Sequence, residues 1–336
     1  MLRVASQARA DWQAKFAALG FSFHSADGGY WNEDACYRFT AGEIDELEAA
    51  TGELHRLALA AVRHIVAEGQ YSRMAIPDGF HAYVGNSWLA NEPTLYGRFD
   101  LAYDGRTPPK LLEYNADTPT SLLEAAVAQW QWLEDTGRPD QFNSLHEKLI
   151  ERWQVVAQRL PDAAPIYFSC AEDSEEDRVT VEYLRDTAVQ AGLETQFINV
   201  EQLGWNGSVF VDLDDRPIDR WFKLYPWEWL MREPFGRNLP AARLNILEPP
   251  WKALLSNKAL LAVLWELFPD HPNLLPAYFT PDYLGSDFVK KPLFSREGAN
   301  VSLSSRAGGT NTDGPYGAEG FVYQARAGLP RSEEHT

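Results

Sequence analysis

Cysteine is almost missing from this chain: Cys36 and Cys170 are the only two among 336 residues. That excludes a disulfide framework or a cysteine zinc site and leaves two ordinary buried or half-buried thiols, consistent with a reducing compartment. Positive charge is also scarce. Thirty lysines and arginines stand against 48 aspartates and glutamates, for a formal charge of −18, which argues against nonspecific nucleic-acid binding and favours cationic partners such as polyamines. No run reaches the roughly 18 apolar residues of a membrane span. The opening Met1-Leu2-Arg3-Val4-Ala5-Ser6 has no apolar signal-peptide core, so a cytoplasmic location away from membranes is expected. Histidines with metal-ligand spacing and internal repeats are lacking too. A chain of this length with 45% hydrophobic residues can bury cores in two or three lobes.

The most telling residues are Asp100 and Glu113. Residues 95–103 and 110–115 read as extended, and Asp104-Gly105 with Pro108-Pro109 supplies turn chemistry between them. If Asp104 pairs with Pro109 across a loop of about four residues, Asp100 lies opposite Glu113 and Arg98 opposite Asn115. Side chains two apart on a strand share a face, so all four converge. Two carboxylates facing each other on a sheet repel by up to about 1 kcal/mol, and a cation between them removes the penalty. Mg²⁺ suits such oxygens when substrate phosphates complete its shell, and Arg98 could grip a phosphoryl group or carboxylate with two bonds. A surface hairpin in which Arg98 neutralises Glu113 diagonally accounts for the same residues.

Helical periodicity over 41–69 ends at Gly69, and Ser121-Leu122-Leu123-Glu124 has the pattern of a capping box opening a helix to about Leu133. Residues 150–250 read as an α/β lobe with strands at 165–169, 196–200 and 208–212 and a helix over 176–191. The acidic run Glu172-Asp173-Ser174-Glu175-Glu176-Asp177 lies where a strand hands over to a helix, a place at which open α/β sheets bind ligands. It could hold an ammonium group or simply be a solvated first turn favoured by the helix dipole. Trp221, Phe222, Tyr225, Trp227 and Trp229 read as core and lobe interface. Further on, Lys258 falls at a helix start, where it opposes the dipole and suits a phosphate partner. Phe288 to Phe294, the small-residue loop from Ser295 to Asn300 and Val301-Ser302-Leu303 form strand, loop and strand. Such a loop can close over phosphates beside a lysine, or be a plain hairpin with exposed lysines.

Read together, four segments carry a resemblance: Leu111-Leu112-Glu113-Tyr114-Asn115-Ala116-Asp117-Thr118-Pro119-Thr120-Ser121, Leu255-Ser256-Asn257-Lys258-Ala259-Leu260, Lys290-Lys291-Pro292-Leu293-Phe294-Ser295-Arg296-Glu297-Gly298-Ala299-Asn300-Val301, and Glu319-Gly320-Phe321-Val322-Tyr323-Gln324. The chain resembles the glutathionylspermidine synthase family over nearly its whole length, most closely the stand-alone members without an amidase domain. The resemblance implies a mixed α/β ATP-grasp fold with an inserted pre-ATP-grasp-like lobe. Its divisions are 1–150 with the metal hairpin, 151–250 as substrate lobe, 251–330 as an incomplete nucleotide-binding part, and a non-native tail at 331–336. It implies an ATP- and Mg²⁺-dependent ligase that joins a small-molecule or peptide carboxylate to an amine, possibly a polyamine, through an acyl-phosphate. An ATP-binding pseudoenzyme, a regulatory module, or a ligase for another acid and amine is the alternative on the same fold.

By position, the resemblance makes Asp100, Glu113 and Asn115 metal ligands and Arg98 the catalytic arginine. Lys258, Lys291, Glu297, Gly298, Gln324 and Ala325 become nucleotide contacts, and Thr118 and Glu176 substrate contacts. Leu224 stands where the synthetase has a glutathione-contacting threonine, which leaves the acid open. Family members continue past Tyr323-Gln324 with a further strand pair and an arginine. Arg331-Ser332-Glu333-Glu334-His335-Thr336 resembles a translated sequencing adapter, so a truncated gene fragment is expected.

Overall fold

The computed structural model describes residues 1–160, 165–305 and 308–328; the tail expected at 331–336 lies outside them. Strand β1 (Leu2–Ala5) pairs antiparallel with β2 (Ala35–Arg38), and α1 (Trp12–Ala18) lies between them in sequence. Helix α2 (Ala41–Ala67) starts in a capping box in which Thr40 Oγ1 accepts from Glu43 N and Glu43 Oε2 accepts from Thr40 N. Gly69, at φ +64°, turns the chain out of it. Leu54, Leu57, Ala61 and Ile65 of its apolar stripe are buried, while Ile44 and Leu47 in its first turns are partly so. Helix α3 (His81–Leu89) leads to the hairpin of β3 (Arg98–Ala102) and β4 (Lys110–Asn115).

The expected capping box at 121–124 does not form. Ser121 adopts φ +69°, and Glu124 instead accepts a hydrogen bond from Tyr30 Oη at 2.6 Å. The helix runs through a π turn at Glu124–Ala128 into α4 (Gln129–Thr136), and α5 (Leu145–Ala157) follows.

The next stretch contains β5 (Ile166–Cys170), α6 (Glu175–Gln190), β6 (Thr195–Phe197), the short antiparallel pair β7 (Gly204–Trp205) and β8 (Phe210–Val211), β9 (Arg220–Leu224), α7 (Trp227–Leu230) and β10 (Asn245–Leu247). Strands β10, β9, β5 and β6 form one parallel sheet in that order. Residues 208–212, expected to be its third strand, lie in the separate β7–β8 pair; the place belongs to β9, whose Trp221 and Phe222 are buried core. Every residue of β5 and β9 is buried, as fits strands covered on both faces.

Helix α8 (Ala259–Leu267) is apolar but for Glu266 and correspondingly buried from Ala259 to Leu264. After it, β11 (Ala277–Tyr278), β12 (Phe288–Pro292), β13 (Ser302–Ser304), β14 (Thr310–Asn311) and β15 (Phe321–Ala325) form an antiparallel sheet in the order β11-β15-β12-β13-β14. One core joins α2, the hairpin, α8 and this sheet; a second joins the N-terminal aromatics, α5, α6 and the parallel sheet.

Candidate active site

The hairpin pairs Asp100 with Glu113 and Arg98 with Asn115, while Phe99 and Tyr114 stack on the opposite face with ring centroids 3.9 Å apart. The pairing nevertheless differs nearer the turn. A bulge after Asp100 puts Leu101 opposite Leu111, so Leu112 is the extra residue. Two side chains from the distant sheet hold this bulge. Lys291 Nζ donates to Leu112 O at 2.9 Å and to Gln324 Oε1 at 2.7 Å, and Gln324 Nε2 donates to Leu111 O at 2.9 Å.

Each carboxylate has a cationic partner. Arg98 Nε donates to Asp100 Oδ1 at 3.0 Å, along its own strand, so the diagonal Arg98–Glu113 pairing is not the one formed. Glu113 Oε2 pairs with Lys258 Nζ at 2.8 Å and Glu113 Oε1 accepts from Asn115 Nδ2 at 3.1 Å. Lys258 also donates to Ser295 O at 2.5 Å, tying the start of α8 to the loop after β12. Burial works to raise the Glu113 carboxyl, but Lys258, then Asn115 and Asp100, hold it down at about 2. Asp100 moves the other way: burial raises it, against Arg98 and with Glu113 adding to the rise. Burial lowers the Lys291 ammonium to about 8 despite the attraction of Glu113. A cavity lined in part by Glu113, Asn115, Ser256 and Lys258 opens beside this cluster.

The loop after Asn115 is fastened from three directions. Ser256 Oγ accepts from both Ala116 N and Asp117 N, at 2.9 and 2.6 Å. Asp117 and Lys223 form a fully buried ion pair at 2.6 Å, and Asp117 Oδ2 accepts from Trp227 N at 2.7 Å. Thr118 Oγ1 accepts from Arg296 Nη1, whose Nη2 reaches Glu228 Oε1, both at 2.7 Å. Arg296 belongs to the tight loop in which Glu297, Gly298 and Asn300 all have positive φ. Leu224 is buried in the core and presents nothing to a ligand.

Glu176, at the start of α6, connects to the hairpin through one threonine. Thr120 Oγ1 accepts from Arg98 Nη1 at 3.4 Å and lies within hydrogen-bonding reach of Glu176. Burial raises the Glu176 carboxyl, as do Glu124, Asp177 and Glu297, against Thr120. Burial likewise raises Asp177, opposed by Ser174 and Arg296. Within the acidic run Glu176 and Asp177 are half-buried, whereas Glu172, Asp173 and Glu175 are exposed. Ala325 is a strand residue opposite Phe288 and makes no side-chain bond.

The family model described as "Glutathionylspermidine synthase preATP-grasp" matches residues 3–336. The chain belongs to this family. It is 44% identical to "Putative acid--amine ligase" of Haemophilus influenzae over 96% of this chain and 86% of that one. It is 25% identical to trypanothione synthetase of Crithidia fasciculata and 26% identical to the bifunctional glutathionylspermidine synthetase/amidase of Escherichia coli. Those matches cover 84% and 95% of this chain, which spans about half of each relative, 48% and 56%. Among solved structures, a glutathione synthetase-like effector of Globodera pallida shares the fold, with TM-score 0.53 and 9% identity over 94% of this chain and 80% of that one. The fold is accordingly mixed α/β of the glutathione synthetase-like kind. Among the described residues no helix is long and apolar enough to cross a membrane.

Reading residues one by one missed Asp117 with Lys223, Arg296, Glu124 and Tyr30. Lys223 carried a usable signal: a lone lysine in the apolar stretch Trp221-Phe222-Lys223-Leu224 must find an anion if that strand is buried. Glu124 carried none, because its capping-box pattern pointed to a local role. Among the described residues no group of three or more His, Cys, Asp or Glu side chains is placed to hold a metal. A metal here would draw on Asp100, Glu113 and the Asn115 amide, leaving the rest of its shell to substrate or water. That sparse, all-oxygen donor set fits Mg²⁺ bound together with phosphates.

Proposed function

We propose that this protein is an ATP-dependent acid–amine ligase of the ATP-grasp type, forming an amide through an acyl-phosphate. The observation that carries the reading is the convergence of Asp100, Glu113, Asn115 and Arg98 on one hairpin face with Lys258 and Lys291 from the C-terminal part. A structural hairpin gains nothing from gathering so many charges, whereas phosphoryl transfer depends on such electrostatic positioning.

In this mechanism Asp100, Glu113 and Asn115 would hold Mg²⁺, which would supply positive charge to neutralise the nucleotide phosphates. Lys258 and Lys291 sit against those phosphates, with Glu297-Gly298 closing over them and Gln324-Ala325 along the base. The acid lies by Thr118, and one of its carboxylate oxygens attacks the γ-phosphorus as the bond to ADP breaks. Arg98 steadies the charge on the transferred group. The amine enters as an ammonium from the side of Glu176, Asp177 and Glu124, gives up one proton to this carboxylate cluster, and attacks the acyl carbon as inorganic phosphate leaves with the second proton. Thr120 stands between the two half-sites, one contact from Arg98 and one from Glu176. The names of the relatives, which include glutathionylspermidine synthetase and trypanothione synthetase, support a glutathione-like acid and a polyamine.

The test is ADP release on screening short thiol peptides and other carboxylates against diamines and polyamines. At least one pair should release ADP in the presence of Mg²⁺, and Glu113→Ala should abolish that release with the circular-dichroism spectrum unchanged. Undiminished turnover in Glu113→Ala removes Glu113 from the site.

A further inference from the structure

Residues 92–97, which lead into β3, belong to no helix or strand, and side chains from distant parts of the chain meet their main-chain groups instead. Leu95 N and Tyr96 N both donate to Glu248 Oε1, at 2.9 and 3.1 Å. Lys252 Nζ donates to Tyr96 O at 2.5 Å and pairs with Glu248 Oε2 at 2.8 Å. Arg152 Nε donates to Thr94 O at 2.6 Å. The side chains of Glu248 and Lys252 are 0% and 2% exposed. Replacing such a buried pair by apolar residues is often neutral or stabilising, so stability alone is a weak reason for it. What this pair does is fix both the N–H and the C=O of one residue, Tyr96.

Tyr96 carries that fixed position to the site. Its ring packs against the second core, and its hydroxyl donates to Pro119 O at 2.5 Å. Burial, with the Glu248 carboxylate adding to it, pushes this hydroxyl well above the ordinary tyrosine range, so it remains a donor. Proline has no N–H, which leaves the carbonyl as the main-chain group by which residue 119 can be held. Pro119 stands between Thr118 and Thr120. Thr118 Oγ1 accepts from Arg296 Nη1 at 2.7 Å and Thr120 Oγ1 from Arg98 Nη1 at 3.4 Å. Arg98 itself follows Tyr96 by two residues. One anchored tyrosine thus ties the strand that carries Arg98 to the loop that carries both threonines.

We infer that Tyr96 is a positioning residue of the ligase: held by Glu248 and Lys252, it sets the placing of Thr118 and Thr120, and through them the aim of Arg296 and Arg98 at the reacting carboxylate. The inference rests on the ligase reading of the site. Lys258 and Lys291, which the mechanism sets against the nucleotide, are held by Glu113, Ser295, Leu112 and Gln324 instead. A change at Tyr96 therefore separates effects on the acid from effects on the nucleotide.

The experiment is steady-state ADP release by wild type and Tyr96→Phe, beside calorimetric titration of each with AMP-PNP and Mg²⁺. Tyr96→Phe keeps the ring and removes the hydrogen bond. It should lower kcat/KM for the acid about tenfold, the effect of one lost hydrogen bond that leaves the substrate-facing groups misplaced. KM for ATP and the affinity for AMP-PNP should stay within about twofold. A second pair of variants tests the anchor. Glu248→Gln/Lys252→Met keeps an acceptor for the two N–H groups and Glu248→Met/Lys252→Met removes it, so the first should retain a kcat/KM for the acid at least about fivefold above the second. A kcat/KM for the acid within about twofold of wild type in Tyr96→Phe overturns the inference and leaves the ligase reading standing. Equal losses for acid and nucleotide overturn it as well, because they show a general loosening of the fold. Absence of ADP release from wild type with every acid and amine pair refutes the ligase reading, and the positioning role with it.

Discussion

Replacing Lys223 by Met isolates the contact that fastens the loop after Asn115 to the parallel sheet. Both Lys223 and Asp117 are 0% exposed. The ammonium reaches Asp117 Oδ1 at 2.6 Å and Tyr225 O at 2.8 Å and lies 4.4 Å from the Trp227 ring centre. Methionine fills much of the same volume, so the change is mainly electrostatic. It leaves the buried Asp117 carboxylate its hydrogen bond from Trp227 N but takes away its ion-pair partner. Losing one partner of a buried pair costs about 3–5 kcal/mol, a large part of the roughly 5–15 kcal/mol that keeps a domain folded. Adding Asp117→Asn removes the stranded charge. Because replacing both members of a buried pair is close to neutral where shape is kept, the double variant should recover at least about 2 kcal/mol relative to Lys223→Met. Urea unfolding followed by tryptophan fluorescence measures both. A cost below about 1 kcal/mol for Lys223→Met, or a double variant at the sum of the single losses, would falsify the view that this pair is a buried charge contact needing both partners.

Two further outcomes follow from the site geometry. The Glu113 carboxyl, at about 2 against an ordinary 4.5, favours the folded state above pH 4.5 and loses that contribution as the pH falls toward 2. The contribution is at most about 3 kcal/mol, and Asp100, shifted upward, works against it. Urea midpoints of Glu113→Gln and wild type should therefore converge between pH 5 and 2.5; a gap that stays constant refutes the assignment. Arg296→Lys keeps the charge but not the fork that joins Thr118 to Glu228, and it should raise KM for the acid about 10- to 100-fold while leaving KM for the amine within about twofold. Equal effects on both substrates would show that Arg296 does not discriminate between them.

Elements whose signals are local were legible in the sequence. The reach of α2 follows from its helical periodicity and from Gly69 at its end, both within or beside the helix itself. The Asp100–Glu113 register follows from turn residues and the alternation of Phe99 and Tyr114 with charged neighbours. What escaped were features with a distant partner. The Leu112 bulge is held by Lys291 and Gln324, and the helix start at Ser121 lost its expected cap because Tyr30 takes Glu124. Strand β9 reads as an aromatic cluster until β5 and β10 flank it and bury every residue.

The sequence by itself determined the hairpin, the long helix and the order of segments that carry the family resemblance, because turns, periodicity and alternation act over a few residues. Only the tertiary structure decided which charges meet. Lys258 faces Glu113, Lys223 faces Asp117, Arg296 faces Thr118, and Tyr30 faces Glu124. Each of these contacts joins residues far apart in the chain. A buried or half-buried charge or polar group takes whichever partner the packing of the two cores brings within hydrogen-bonding distance, and no local pattern of residues specifies that partner.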